Sequence, residues 1–377
     1  MNGTVRQRNK GSWEIRYSPP ADGSGSRKYL SETVRGTKAE AQVVLRDRIK
    51  AIETGSYVIK NKETVAEFME RWLATYAATN TNLKTQQGYR GVIARHIVPA
   101  LGSIKLQNLT ARQIQSLYAE MQSRETGTSS ILATHRVLKE ALGHAVKWNT
   151  ITRNVADGVS PPRVERKTMP MWNVSDINHF LDATTGNHFF PVYHLAVLTG
   201  LRRSEIFGLK WDAVDLAGAT LRVVRTLQRI TDHGLVEGQP KTDRSRRSIA
   251  LSPAAVELLH GVRGTQMEHQ LDYGVLWSNT GYVFTQLDGS PIDPDRISKE
   301  FPKLVKAHGL PHLTFHGLRH AHATLALSAG INPKIVSERL GHSSIAVTMD
   351  IYSHVLPGMQ EEAALAVERL LDRPASG

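Results

Sequence analysis

The segment LTFHGLRHAHATLA, residues 313–326, carries His316, Arg319, His320 and His322 within seven positions. Small and apolar neighbours surround these side chains, as at the start of a helix. Imidazole and guanidinium groups gathered on so short a stretch can ligate a metal, bind a phosphate, or serve only in capping and packing. The spacing within the segment helps to distinguish these uses.

A metal site is suggested by His316 and His320, which lie four positions apart on one helical face, the spacing of zinc-binding helices. Such a site also needs a carboxylate as base, and the intervening residues are Gly317, Leu318 and Arg319. A guanidinium beside a divalent cation is electrostatically unfavourable. The segment therefore argues against a metal, and we expect neither a metal nor a cofactor.

A phosphate site fits the pair His316 and Arg319 better. Residues three positions apart share a helix face, and the planar guanidinium offers two donors that match two phosphate oxygens. Judged alone, the segment is also compatible with histidines that only cap and pack. The choice between these two uses depends on the rest of the chain.

The composition of the chain points to a polyanionic partner. Its 377 residues include 47 Lys and Arg against 35 Asp and Glu, which gives a formal net charge of +12 and a pI near 9.8. Such a basic balance is typical of proteins that bind nucleic acid. The length suggests two to three domains.

Several classes of protein are excluded by what the sequence lacks. It has no cysteine, which removes disulfides, thiolate zinc sites and a cysteine nucleophile. No run of about 18 apolar residues occurs, and the N-terminal MNGTVRQRNKGSW has no apolar core for a signal peptide. We therefore expect a soluble, cytoplasmic protein.

Residues 1–60 form a distinct basic unit. They hold 12 Lys and Arg against 6 Asp and Glu, so half of the net charge lies here. β-like runs flank the turn-rich PPADGSGS, and a helix with a capping-box pair, Thr37 and Glu40, follows. We expect a small sheet with one helix, whose charge is compatible with DNA binding or with a solvated basic face.

Residues 61–160 are expected to form a helical unit, in which every signal from Thr64 to about Asn149 is helical. Capping-box pairs begin two of the helices, at Thr64 and at Thr110, and we expect Pro99 to end another. Together these runs predict a four-helix unit. Prolines and basic residues without periodicity then predict a linker over 161–170, and residues 171–377 mix helices with a β-rich stretch.

Two further segments accompany HGLRHAHA. TGLRRSEIFGLKW places Arg202 after a glycine at the mouth of a helix, with Glu205 one turn on. ERLGHSSIAVTMDIYSHV contains His342 and, ten positions later, Tyr352. TGLR, HGLRH, LGH and IYSH in this order resemble the catalytic signature of the tyrosine recombinases, the phage-integrase family.

The resemblance covers residues 171–356, and it implies a multidomain, mainly α fold with small β-sheets. The N-terminal sheet-plus-helix unit, 1–60, looks like the arm-type DNA-binding domain of integrases that read a second class of DNA site. The helical unit, 61–160, looks like the core-binding domain. Residues 171–377 would form the mixed α/β tyrosine-recombinase catalytic domain with a C-terminal helix.

The resemblance also implies how the matching residues would treat a scissile phosphate. Arg202 and Arg319 would hold its non-bridging oxygens. His316 and His342 would hydrogen-bond the same oxygens, with His316 also placed to accept the tyrosine proton. This implication favours the phosphate interpretation of HGLRHAHA.

Three further roles follow from the same resemblance. Tyr352 would be the nucleophile, Lys241 in the turn QPKTDRSRR would protonate the departing 5′ oxygen, and Glu205 would orient the cluster. Tyrosine is a poor nucleophile with a pKa of about 10, so it needs a proton acceptor and a positive field. Arginine, histidine and lysine side chains would meet the developing phosphate charge without a metal.

Nearby residues are expected to have less specific roles. Arg203 and Lys210 would be surface or DNA-backbone contacts. His320 and His322 would be structural or secondary contacts, and Tyr273, in an apolar setting, would lie in the core. The amphipathic run PGMQEEAALAVERLLDR predicts a final helix that packs on its own domain or docks on a neighbouring protomer.

The function implied by the resemblance is site-specific recombination through a 3′-phosphotyrosine intermediate, which integrates or excises a mobile element such as a temperate phage. The implied partners are double-stranded DNA attachment sites and further copies of the chain in a homotetramer. A host DNA-bending protein and an excisionase are candidate accessory partners, and no membrane partner is expected. The place of action would be the bacterial host cell, in association with the nucleoid.

Two alternatives use the same residues. A type IB topoisomerase-like nicking and closing enzyme shares this chemistry, but it would need neither an arm-like unit nor a helix after Tyr352. A non-catalytic DNA-binding regulator would not need the six candidate catalytic residues. Both alternatives are therefore less well supported than a recombinase.

Overall fold

The computed structural model describes residues 3–18, 29–54, 57–163, 171–240, 245–342 and 344–349, together with residue 368. The chain divides into two compact units, Met1–Arg166 and Lys167–Gly377. The division falls within the segment for which the sequence predicts a linker, while the finer three-domain organisation stays a prediction. None of the described helices is long and apolar enough to cross a membrane.

A three-stranded antiparallel sheet opens the first unit. Its strands, β1 (Thr4–Asn9), β2 (Ser12–Tyr17) and β3 (Leu30–Arg35), pair in the order β1–β2–β3. Helix α1 (Lys38–Glu53) packs on one face of the sheet. The core between them contains the buried residues Ile15, Tyr17, Ala41, Leu45 and Ile52.

The rest of the first unit is helical. Its α-helices are α2 (Val65–Trp72), α3 (Ala78–Asn80), α4 (Leu83–Val92), α5 (Val98–Leu101), α6 (Ala111–Ser123) and α7 (Thr128–Lys147). A π-helical turn, Leu73–Ala77, joins α2 to α3, and another, Ile93–Ile97, joins α4 to α5. Four helical rods therefore surround a core of their own, in which Phe68, Trp72 and Leu142 are fully buried.

Capping boxes begin three helices of this unit where the sequence predicts them. The side chains of Thr37, Thr64 and Thr110 each accept the backbone N–H three residues on, and the residue there returns the contact to the threonine N–H. Each pair satisfies two backbone donors that the first helical turn leaves without intrahelical partners. Local sequence alone fixes these helix starts.

Pro99 does not end its helix, contrary to the expectation from sequence. The π-helical turn widens the rod just before it, and α5 continues to Leu101 with Pro99 in its first turn. The wider turn absorbs the clash that would otherwise break the rod.

The second unit combines helices with two small sheets. Its helices are α8 (Val174–Ala183), α9 (Phe190–Thr199), α10 (Arg203–Phe207), α11 (Pro253–Tyr273), α12 (Pro294–Ala307), α13 (Phe315–Ser328) and α14 (Pro333–Leu340). Strands β4 (Val214–Asp215), β5 (Thr220–Val223) and β8 (Arg247–Ala250) form an antiparallel sheet in the order β4–β5–β8. Strands β6 (Thr226–Ile230) and β7 (Gly234–Gly238) form a hairpin. The mainly α fold with small β-sheets is confirmed.

An aromatic cluster forms the centre of the second unit. The rings of Trp172, Phe180, Tyr193, Phe301 and Phe315 lie within 5.1–6.3 Å of one another in successive pairs. The cluster joins α8, α9, α12 and the first residue of α13. These contacts fix α9 and α13, the two helices from whose ends the candidate site is built.

The expectation that Tyr273 lies in the core is wrong. Its side chain is 38% exposed at the end of α11. The neighbouring Leu271, Val275 and Leu276 are more exposed still, so the apolar setting in sequence belongs to a surface segment. Apolar neighbours in sequence do not by themselves imply burial.

The Tyr193 hydroxyl provides a test of this core. It is buried and has no hydrogen-bond partner among the described residues. An unsatisfied buried hydroxyl costs about 1–3 kcal/mol, so we expect Tyr193→Phe to stabilise the second unit by about 1 kcal/mol. Denaturant unfolding of the variant and the wild type measures the change. Phe180→Ala is the contrasting control, with an expected loss of about 3–5 kcal/mol, and a destabilised Tyr193→Phe would contradict the assignment.

Candidate catalytic site

Two glycines with left-handed backbone end the helices that lead into the site. Gly200 ends α9 with φ +66° and Gly341 ends α14 with φ +65°. Such C-terminal positions favour glycine because other residues pay a steric cost there. A Cβ on Gly200 would also lie 2.4 Å from a methyl of Leu340 and 2.7 Å from the His322 ring. The glycines of TGLR and LGH thus let the ends of α9 and α14 approach closely.

Arg202 begins α10 in an unusual capping box. Its backbone N–H donates to Glu205 Oε2 at 2.9 Å, and its Nη1 donates to Glu205 Oε1 at 2.7 Å. Its Nη2 donates to the carbonyl oxygen of Gly341 at 2.7 Å. The side chain is 32% exposed. Glu205 and the Gly341 carbonyl therefore bind one side of the guanidinium, and its other side faces solvent.

Arg319 lies deeper, in the first turns of α13. Its Nη1 donates to Gly200 O at 2.8 Å and its Nη2 to Leu340 O at 2.6 Å. Burial, followed by the charge of Arg202, lowers the pKa of Arg319 to about 9. The group therefore remains a cation at neutral pH, where it is 3% exposed.

Arg247, at the start of β8, completes the set of arginines around the end of α14. Its Nε donates to Arg339 O at 2.5 Å, and Nη1 and Nη2 donate to the two oxygens of Glu205 at 3.2 and 2.9 Å. Three consecutive carbonyls, of residues 339, 340 and 341, thus each accept from a different arginine. These carbonyls have no intrahelical partners, as at any helix C-terminus.

Glu205 is the carboxylate of this cluster. It is 3% exposed and forms ion pairs with Arg202 and Arg247. Burial raises the pKa of its carboxyl, but the hydrogen bonds and charge of Arg247, with the charge of Arg202, outweigh burial and lower the pKa below 4.5. Glu205 is therefore ionised at neutral pH.

His316 and His342 lie near the same cations. Desolvation, followed by the charges of His320, Arg319 and Arg202, lowers the pKa of His316 to about 4, although its ring remains accessible to solvent. Desolvation, and then Arg319 and Arg202, lowers the pKa of His342 to about 4. Both imidazoles are therefore neutral at pH 7, and each can accept or donate a hydrogen bond.

One ring nitrogen of His342 has a hydrogen-bond partner within the protein. Its Nδ1 lies 2.8 Å from the hydroxyl of the fully buried Thr348. If the hydroxyl donates this bond, Nε2 carries the ring proton and can donate to an anion. His320 packs edge to face on His316, with ring centroids 5.1 Å apart, which agrees with a supporting role.

His322 belongs to the scaffold, as expected. Its Nδ1 lies 2.8 Å from Val197 O, and its Nε2 lies 3.3 Å from Nε of Arg339. Arg339 also donates to Ala250 O and Leu198 O, at 3.0 and 3.2 Å. These contacts tie α13 and α14 to the end of α9 and to β8.

Two of the predicted residues lie outside the described part of the chain. Lys241 follows β7 by three positions, in the undescribed stretch 241–244, and Tyr352 follows the last described residue of its segment, Met349, by three. The structure brings together the other five: Arg202, Glu205, His316, Arg319 and His342. The final amphipathic helix predicted after Tyr352 also lies outside the described residues, apart from Glu368.

Arg203 and Lys210 lie outside this cluster. Arg203 pairs with Asp295 at 3.0 Å. Lys210 pairs with Glu237 at 2.6 Å and lies over the Tyr282 ring at 4.7 Å. Both side chains therefore have structural partners within the domain.

Sequence reasoning missed Arg247 and Arg339 as members of the cluster. A signal for Arg247 was present, because Arg247 shares a face of β8 with Ile249, which is buried. Arginine on the apolar face of a strand implies a buried partner. Arg339 had no comparable signal, since the chain gives no reason to place it against the end of α9.

The arrangement is suited to an anion with several oxygens. Arg202 and Arg247 form ion pairs with the carboxylate of Glu205, Arg319 lies close to these charges, and neutral imidazoles border the accessible side. Among the residues that the structure describes, no three His, Asp or Glu side chains are arranged to hold a metal ion. The geometry is therefore that of a cationic site, suited to a phosphate, within a mainly helical domain.

Comparison with known proteins agrees with this class. The phage integrase family matches residues 168–359, and the N-terminal SAM-like domain of phage integrases matches residues 64–122. A XerC-like tyrosine recombinase of Caldanaerobacter subterraneus is 30% identical over 354 residues, which cover 89% of this chain and 90% of that protein. The chain belongs to the phage integrase family, and it is a tyrosine-type site-specific DNA recombinase.

Two solved structures share the fold. The Tn1549 transposon integrase, in complex with a circular intermediate DNA, aligns with a TM-score of 0.68 at 21% identity and covers 82% of this chain and 99% of that chain. A lambda integrase tetramer bound to a Holliday junction aligns with a TM-score of 0.60 at 18% identity and covers 92% of this chain and 94% of that chain. These likenesses establish a shared architecture.

The buried carboxylate makes a prediction about stability. Glu205→Gln leaves Arg247 buried without its counter-charge, and we expect a loss of about 3 kcal/mol at pH 7. The folded-state pKa of Glu205 is lowered, so its contribution is present above the unfolded value of about 4.3 and disappears as pH falls through the folded value. The difference between wild type and variant should therefore shrink below about pH 4.

Denaturant unfolding at pH 7 and pH 3.5 measures both effects. Glu300→Gln is the matched control, because Glu300 forms an ion pair with Arg296 in which the two side chains are 36% and 54% exposed. That exposed pair should contribute less than about 1 kcal/mol. Equal losses for the two variants at pH 7 would refute the central role of Glu205.

Proposed function

We propose that this recombinase cuts and rejoins duplex DNA through a 3′-phosphotyrosine formed by Tyr352. The observation that carries the proposal is the cationic cluster around Glu205, in which Arg202 and Arg319 are fixed by protein carbonyls. A guanidinium has five N–H donors, and those not used by the protein are available to a bound phosphate. His316 and His342 border the same space.

The cluster would stabilise the transition state by meeting charge where it develops. A phosphodiester under attack gains negative charge on its equatorial oxygens, and fixed donors aimed at these oxygens stabilise that charge without reorganising. Removal of one such donor costs about 2.7–4 kcal/mol of transition-state stabilisation. Arg202 and Arg319, held by backbone carbonyls and by Glu205, are preorganised in this sense.

His316 would accept the proton of the Tyr352 hydroxyl as its oxygen attacks phosphorus. A neutral imidazole is required for this step, and desolvation together with the surrounding cations keeps the pKa of His316 low in the free protein. An approaching phosphate anion offsets those cations and so raises the proton affinity of the ring. The base would therefore become effective when substrate is in place.

Lys241 would deliver a proton to the departing 5′ oxygen. The bond from phosphorus to Tyr352 replaces the bond to the 5′ oxygen, so a phosphodiester is exchanged for another phosphodiester. The reverse attack by a 5′ hydroxyl then rejoins DNA and releases the tyrosine, without an external energy source. This exchange is the basis of strand transfer.

The N-terminal sheet is proposed to bind an arm-type DNA site. Alternation along the strands places Arg6, Arg16 and Arg35 on the face opposite to α1, together with Arg8, which lies 3.5 Å from Glu14. These arginines and the Ser and Thr side chains between them form a polar surface suited to phosphates and base edges. The helical residues 61–160 would contact the core DNA site.

The assembly on DNA is proposed to be a homotetramer that exchanges strands in pairs. The lambda integrase tetramer on a Holliday junction, which shares this fold, supports the proposal. A host DNA-bending protein and an excisionase remain candidate partners at full attachment sites, and action at the bacterial nucleoid follows from a DNA substrate. Integration or excision of a mobile element is the process that these parts would serve.

Tyr352→Phe tests the chemistry. It removes only the nucleophilic oxygen, so we expect no covalent DNA adduct and an affinity for core-site duplex within about 3-fold of wild type. Suicide DNA duplexes and denaturing gels detect the adduct. The matched control is Tyr273→Phe, which removes the hydroxyl of an exposed tyrosine and should leave adduct formation intact.

An adduct that persists in Tyr352→Phe would place the nucleophile elsewhere. Adduct formation and religation without exchange between two sites, in the wild type, would favour the topoisomerase-like alternative. Absence of any adduct in the wild type, with DNA binding retained, would favour the non-catalytic regulator.

Replacement of Arg6, Arg16 and Arg35 by alanine tests the arm-binding role. Loss of phosphate contacts should reduce the log–log salt dependence of arm-site binding by roughly 0.9 for each contact removed. We expect loss of recombination between full sites with covalent attachment to core DNA unchanged. The control removes three exposed cations, Lys38, Arg46 and Lys50, from α1, and should leave both activities unchanged. The same effects from both triple variants would contradict binding through the sheet.

A further inference from the structure

We propose that Arg247 is a positioning residue for strand transfer, which ties Glu205, and through it Arg202, to the start of β8 and to the end of α14. The inference rests on the proposed function, because it assigns Arg247 an effect on a phosphate that Arg202 holds. Arg247 itself is 7% exposed. It therefore acts through its neighbours.

The hydrogen bonds of Arg247 support this assignment. Its guanidinium contacts both oxygens of Glu205, the carbonyl of Arg339 at 2.5 Å and the carbonyl of Ser245 at 3.1 Å. These contacts use at least four of the five N–H donors of an arginine. The planar guanidinium of Arg247 thus connects β8 to Glu205 in α10 and to Arg339 in α14.

Arg202 depends on the same carboxylate from the opposite side. Its backbone N–H and its Nη1 both donate to Glu205, so the direction of its side chain follows the position of that carboxylate. Arg247 fixes Glu205 from β8. A displacement of Arg247 would therefore move the phosphate-binding guanidinium of Arg202 without any contact to DNA.

Ser245 extends the connection toward the hairpin. It is buried, and its carbonyl accepts from Arg247. The position where β8 begins is thus fixed relative to Glu205. One guanidinium therefore connects the start of β8 to the arginine that would hold the phosphate.

The electrostatics of Glu205 give the assignment a distinctive signature. The charged groups that face Glu205 are Arg202 at the start of α10, Arg247 on β8 and Arg319 on α13, and the titratable but neutral His316 on α13 also faces it. Arg247 contributes most to keeping the carboxyl ionised, against burial. Without Arg247, burial would raise the pKa of Glu205, and protonation at moderately acid pH would remove the acceptor of Arg202.

Arg247→Met and Arg247→Lys test the proposal. The measurements are the single-turnover rate of covalent attachment to core DNA from pH 6 to pH 8.5, the dissociation constant for that DNA, and the unfolding midpoint. The ratio of variant rate to wild-type rate at each pH removes the titration of groups that both proteins share. We expect this ratio for Arg247→Met to fall about 10-fold or more from pH 8.5 to pH 6, as for a group that must be deprotonated.

Arg247→Lys should separate charge from geometry. Lysine keeps a cation near Glu205 but lacks the planar fork that reaches both oxygens and the Arg339 carbonyl. We expect Arg247→Lys to attach to DNA about 10-fold to 100-fold more slowly than wild type at every pH, as when a residue that orients a reactive side chain is lost. The ratio of variant rate to wild-type rate should therefore not change with pH. The dissociation constant should stay within about 3-fold of wild type. A wild-type rate in Arg247→Lys would overturn the proposal, even if Arg247→Met does not fold.

Two further variants test whether Glu205 is the group that titrates in Arg247→Met. In the double variant Glu205→Gln with Arg247→Met, the carboxylate of Glu205 is no longer present to titrate, so the fall of the ratio toward pH 6 should be absent. The matched control is Arg246→Met, which removes the same charge from the adjacent, exposed arginine, and its ratio should not depend on pH. A ratio for Arg247→Met that is constant with pH, or a pH-dependent fall that persists in the double variant, would show that Arg247 is only structural.

The wild-type protein distinguishes an error in the role of Arg247 from an error in the proposed chemistry. Wild-type protein that forms no tyrosine adduct would refute the proposed chemistry itself. Wild-type protein that forms the adduct, with Arg247 variants that do so at the wild-type rate at every pH, would refute only the role of Arg247.

Discussion

The carbonyls at the C-terminal end of α14 are the constraint on which the catalytic domain depends. Residues 339, 340 and 341 expose consecutive acceptors, and Arg247, Arg319 and Arg202 each donate to one of them. The arginines come from a strand, a helix and a helix start that are far apart in sequence. Their mutual repulsion would drive these segments apart, so the alignment of backbone acceptors, together with Glu205, is what holds them at one place. The end of α14 thus organises a cluster of cations.

Glycine makes this arrangement sterically accessible. Gly341 ends α14 in the left-handed conformation and so directs its carbonyl toward Arg202, while Gly200 lets the end of α9 approach Leu340. The aromatic cluster around Tyr193 and Phe301 keeps α9 and α13 in place behind the site. The aromatic core, the ends of α9 and α14 and the charged cluster are therefore in contact with one another. Packing in the aromatic core thus affects the orientation of the Arg202 guanidinium.

Much of this could be predicted from the sequence, for identifiable reasons. Capping pairs such as Thr64 with Glu67 act within a single turn, so sequence suffices to locate them. The family resemblance implied a shared site for Arg202, Glu205, His316, Arg319 and His342, and the structure does bring these five together. The predictions that were wrong or missing depend on contacts between distant segments. A π-helical turn accommodates Pro99, and Tyr273 lies at an exposed helix end. Arg339 acquires its role only through contacts with α9 and β8. The roles of Lys241 and Tyr352 rest on the family resemblance.

The imbalance of charge around Glu205 has a consequence for how this enzyme can evolve. Arg202 and Arg247 share the carboxylate of Glu205, and Arg319 lies close to both, so the resting domain carries a repulsion that folding must overcome. A bound phosphate anion would relieve that repulsion and add its binding free energy to the folded state. Selection for heat resistance alone would tend to replace these arginines with neutral residues, whereas selection for strand transfer retains them. The site is thus a place where thermal robustness and activity oppose each other, and gains in one are expected to arise from residues remote from α14.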